Sequence, residues 1–111
     1  MKRQRWILVL VSALALAACG NPVPPEKSAY VGQWESPGFS LLIMQDGSVA
    51  YKRLHKGAST SVNGPLKGFE GDDFVVGIAF ISTTFEVSEP PFQEDGKWKM
   101  VVDGVKLTKV E

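Results

Sequence analysis

From Tyr30 onward, apolar and polar residues alternate with period two, and turn-forming residues interrupt the alternation about every eight to twelve positions. No stretch of helical length keeps a 3.6-residue apolar repeat without glycine, so the pattern predicts an all-β domain. Val31–Ser36 reads as a first strand ended by Pro37-Gly38. Phe39–Gln45 and Ser48–Leu54 flank Asp46-Gly47, which predicts a two-residue hairpin loop whose central positions need positive φ. His55–Ser61 is polar and carries glycine, and a further strand is expected over Leu66–Glu70, closed by Gly71-Asp72-Asp73.

Phe74–Ile81 is almost continuously apolar. It predicts one strand covered on both faces, with Gly77 as a bulge or a close approach of two backbones. Ser82–Ser88 alternates again. Near the end, Lys97–Val102 puts Trp98, Met100 and Val102 on one face, Asp103-Gly104 turns, and Val105–Thr108 puts Val105 and Leu107 on one face. About eight short strands in some 80 residues predict a small antiparallel meander, closed into a barrel or pressed into a sandwich. Such a barrel is filled by its own side chains.

The first 30 residues follow other rules. Lys2, Arg3 and Arg5 precede the apolar run Trp6–Ala18, which is 13 residues long and short of the ~20 that a membrane-spanning helix needs. Leu16-Ala17-Ala18-Cys19 ends the run and resembles the lipobox of bacterial lipoprotein precursors. That resemblance implies that Cys19, the one cysteine, takes a diacylglyceryl group as a thioether. It also implies that the signal peptide 1–18 is cut off before Cys19. A thiol is the most nucleophilic side chain near neutral pH, and two acyl chains suffice for stable anchoring. Gly20, standing where an aspartate would mark inner-membrane retention, implies by the same resemblance an outer-membrane location facing the periplasm in a Gram-negative host. Residues 19–29 hold Pro22, Pro24 and Pro25 and predict an extended, polyproline-like tether ahead of a β-domain over 30–111.

Charge narrows the partners. The signal takes three of twelve basic residues and no acidic one, so the mature chain carries 9 − 12 = −3, which argues against nucleic acid. Gly32-Gln33-Trp34 resembles the Gly-x-Trp opening of lipocalins, whose tryptophan closes one barrel end under an arginine from the last strand. The mature chain has a single arginine, Arg53, in the third expected strand. That resemblance implies a closing role for Trp34 and, as an alternative function, a carrier of a small hydrophobic ligand.

Catalytic and metal-binding chemistry finds little support. His55 is the only histidine; zinc needs three or four ligands, and the sole cysteine is committed to lipid. Hydroxyls at 59–61 and 82–84 lack a nucleophile elbow and read as solvated strand faces. Glu70, Asp72 and Asp73 share a turn without the spacing of a calcium loop. No metal or other cofactor is therefore expected, and no enzyme activity.

Two stretches remain for partner contact, with a protein or an envelope polymer. One is the basic run Tyr51–Lys56, whose Lys52, Arg53 and Lys56 could meet anionic groups. The other is Ser88–Gly96, the longest expected loop, in which Pro90 and Pro91 stiffen the chain and Phe92 offers an aromatic anchor. The expected function is a non-enzymatic, lipid-anchored envelope protein that presents its β-domain to a partner.

Overall fold

A computed structural model describes residues 21–78 and 80–110. The expected signal peptide 1–18 and Cys19 lie outside the described residues. Among the described residues nine strands form one antiparallel sheet: β1 Gly32–Ser36, β2 Phe39–Ile43, β3 Ser48–His55, β4 Ala58–Glu70, β5 Asp73–Ile78, β6 Ile81–Phe85, β7 Val87–Glu94, β8 Lys97–Val102 and β9 Val105–Val110. Their order is β6-β5-β4-β3-β2-β1-β9-β8-β7, so every neighbour is a sequence neighbour except the β1–β9 pair. The sheet curls into a half-barrel. Its two edges, β6 and β7, are consecutive in sequence with only Glu86 between them.

That seam is tied at one end. The Val87 amide donates to the Asp73 carboxylate at 2.7 Å, the Glu86 amide donates to the Asp103 carboxylate at 2.9 Å, and the Asp103 amide donates to the Glu86 carbonyl at 2.7 Å. Register shifts in β4 (Leu66/Gly68) and β7 (Val87/Glu89, Glu89/Phe92) bend the sheet, as bulges do.

Alternation produces the core directly. Phe39, Leu41 and Ile43 of β2, Phe74 and Val76 of β5, and Met100 and Val102 of β8 all point into the curl with Trp34, Leu66, Phe85 and Leu107. Rings make a continuous string across it. Phe39 meets Tyr51 at 5.8 Å between centroids, Tyr51 meets Phe85 at 5.1 Å, Phe85 stacks on Phe74 at 4.8 Å, and Phe74 meets Phe69 and Tyr30. Edge-to-face and offset pairs of this kind add to what area burial alone provides.

The turns separate what the pattern predicted well from what it did not. Asp103 and Gly104 both have positive φ (49° and 79°), the two-residue loop expected there. Asp46-Gly47 is not such a loop. Only Gly47 has positive φ (92°), Met44 bonds to Ser48 across three residues, and the Asp46 carboxylate accepts the Ser48 amide at 2.8 Å. This is a type I turn followed by one left-handed residue. Bonding to Ser48 lowers the Asp46 pKa below the usual carboxylate range.

Other stretches depart further. Within the polar, glycine-bearing stretch His55–Ser61, Lys56-Gly57 make a tight turn with positive φ at both positions, and Ala58 opens the 13-residue β4. The apolar run Phe74–Ile81 is not one strand, since the chain reverses between Ile78 and Ile81, which pair. Gly77 does mark a close approach: a Cβ there would strike the Ile81 carbonyl and Ser82. Ser88–Gly96 is not a loop. It is most of β7 plus the tight turn Asp95-Gly96. Pro90 and Pro91 fall in the register shift between Glu89 and Phe92, where the edge strand bulges and neither residue has a ladder partner on β8, and they blunt that edge.

The largest departure is the tether. Its described part does not stand free of the domain. Val23 is buried in the core, its amide donates to the Gln45 carbonyl at 3.0 Å, and its own carbonyl accepts the Gln45 side chain at 2.8 Å. Asn21 bonds through its amide to the Leu66 carbonyl and through its side chain to the Lys67 carbonyl. Pro25–Tyr30 form a 3-10 helix, with Pro pre-set for its first turn. The folded unit therefore begins by Asn21, not at residue 30.

Candidate functional site

The strap 21–30 and the acidic β4–β5 turn are built together. The Lys27 ammonium donates to the Gly71 carbonyl at 2.8 Å, lies 3.7 Å from the Asp72 carboxylate, and sits over the Tyr30 and Phe69 rings. The Tyr30 hydroxyl donates to the Asp72 carbonyl at 2.8 Å. Glu70, Asp72 and Asp73, weighed above as a cation site, are thus engaged in part with the strap and the β6–β7 seam. Among the described residues no group of three or more His, Cys, Asp and Glu side chains gathers around one point.

Burial pushes the Tyr30 pKa up to about 12, with Asp72 and Asp73 adding to it. The raised value means that the folded state holds this proton more tightly. Stability from it is intact below the ordinary tyrosine pKa near 10 and is lost as pH rises towards about 12. Urea titrations of wild type and Tyr30→Phe across that window should show the steeper alkaline loss in wild type. Parallel slopes would mean that Tyr30 ionises as easily folded as unfolded.

Trp34 is fully buried on β1, and its Nε1 donates to the Tyr30 carbonyl at 2.9 Å. A cation from the last strand stands over its ring, but it is Lys109 at 5.0 Å, which also reaches the Trp98 ring at 5.8 Å. Arg53 stacks instead on Phe39 at 5.2 Å. This breaks up the basic run: Lys52 is exposed, Arg53 is drawn half under cover, and Lys56 occupies the turn. His55 is exposed at the end of β3.

Phe92 pairs with Lys99 in β7 and is half-buried, with the Lys106 ammonium 5.8 Å above its ring and held there by Glu94 at 3.1 Å. It is neither a loop tip nor a lid. The exposed apolar surface lies elsewhere. Ile78, Phe80 and Ile81 form the β5–β6 tip, and Ile78 lines an open groove of about 520 Å³ with Leu42, Met44, Ala50, Asn63 and Pro65. The alternation of the strands missed this surface because the run Phe74–Ile81 contains no polar turn residue to separate a tip from a core.

The edges of the sheet differ. β7 carries two prolines, whereas β6 is short, carries none, and exposes Ser82, Thr83 and Thr84. Ile78 and Ile81 close a two-residue connection and so exchange both bonds, which leaves the amides of Ser82 and Thr84 directed off the edge. Comparison with protein-family models, with curated proteins and with solved structures finds no match for this chain.

Proposed function

We infer that this is a non-enzymatic, lipid-anchored envelope protein whose β-domain binds a partner at the membrane through the open β6 edge. The observation that carries this reading is the strap. Asn21 is bonded to β4 only two residues after Cys19, so a lipid there would hold the domain beside the bilayer. A partner strand adding to β6 would find free donors at Ser82 and Thr84, whereas β7 refuses such pairing. The lipobox supports the anchor and Gly20 supports the outer membrane. The alternative, a carrier of a hydrophobic ligand, is disfavoured because Trp34, Leu41, Phe74, Phe85 and Met100 fill the concave side.

The test is a pair of variants in the full chain. Cys19→Ser should leave the membrane fraction or accumulate as precursor. Thr84→Pro should stay on the membrane and fold, yet lose the proteins that co-purify with wild type. If Thr84→Pro retains them, the β6 edge is not the binding surface.

A further inference from the structure

Four large apolar side chains lie open at the β5–β6 tip and in the groove that Ile78 lines: Phe80 is 92% exposed, Ile81 69%, Ile78 67% and Met44 47%. Ile78 and Met44 line the same groove, and Ile81 pairs with Ile78 at the β5–β6 tip, which Phe80 shares. Contiguous apolar patches on a folded domain mark a surface that something covers.

The position of the chain start says what that is. The Asn21 amide bonds to Leu66, whose own amide bonds to Gly47, and Pro65 and Ser48, the neighbours of these two residues, line the groove. Gly47 must be glycine here, because a Cβ would collide with the Asn21 backbone. The chain therefore leaves the domain beside the groove. Cys19 is two residues further on, a reach of about 7 Å even when fully extended.

We propose that the groove and the Ile78–Phe80–Ile81 tip rest in the lipid surface next to the Cys19 anchor, so that the domain lies against the bilayer in one orientation. The proposal rests on the lipid-anchor reading. Two residues of slack cannot lift the groove away from lipid, and the patch offers aliphatic and aromatic side chains to the acyl boundary, where such groups bind in proportion to the apolar area they bury. The β6 edge would then run up from the membrane, in position for a partner that is itself membrane-associated.

The experiment uses the full-length lipidated protein in phosphatidylethanolamine–phosphatidylglycerol vesicles. Once Cys19 is a thioether no other thiol remains, so Asn63→Cys in the groove and Glu35→Cys on exposed β1 can each carry one fluorophore. A nitroxide on the lipid acyl chain should quench the label at 63 several-fold more than the label at 35. Adding Phe80→Ser with Ile81→Ser should abolish that difference. Equal quenching at both positions, with the protein still on the vesicles, overturns the proposal and leaves the anchor intact. Shielding of position 63 in native membranes but not in pure lipid also overturns it, in favour of a protein occupant. If Cys19 is unmodified and the chain does not join the vesicles, the anchor reading fails and takes this one with it.

Discussion

Phe74→Ala should cost about 3–5 kcal/mol, the range for removing a fully buried aromatic. Phe74 is the ring that joins the two halves of the core. It stacks on Phe85 of β6 and meets Phe69 of β4 and Tyr30 of the strap, while Phe85 passes the contact on to Tyr51 of β3. The Phe74 strand is paired on both sides, to Phe69 of β4 and Phe85 of β6, and this hydrogen-bonded frame resists collapse into the space. Chemical denaturation of the soluble domain measures the loss. A cost below about 1.5 kcal/mol, the size of a volume-conserving swap, would mean that this corner of the core is not packed as described.

A soluble domain that starts at Ser28 should be markedly less stable than one that starts at Asn21. The shorter form lacks Val23, whose burial alone is worth roughly 1.5–3 kcal/mol, and with it the bonds from Val23 to Gln45 and from Asn21 to β4. It also lacks Lys27 and its contacts with Gly71 and Asp72. Parallel melting curves of the two forms check this. Equal midpoints would show that 21–27 adds nothing to the fold and behaves as a tether after all.

The fold class was legible because burial follows period two wherever a strand lies over the core, as in β2, β5 and β8. It failed where a strand has little core to face. The first half of β4 is a row of exposed hydroxyls paired to the equally exposed end of β3, so no alternation marks it. β5 and β6 merged because their tip is apolar, and β7 vanished behind prolines that an edge strand tolerates. The strap was misread for a related reason: a proline-rich stretch with one valine resembles a linker until that valine finds a hole in the core. The candidate site is the least legible part. Phe92 stands in the sequence as an aromatic among polar residues, yet it lies under Lys106, while Phe80 sits in an apolar run that has the pattern of core.

On the proposed reading, lipid on Cys19 holds the strap and its sheet at the membrane. Mass spectrometry of the detergent-extracted protein is the decisive measurement. A mature chain whose first residue is an acylated Cys19, with nothing N-terminal to it, is the predicted result. An unmodified Cys19 still joined to Trp6–Ala18 would contradict it.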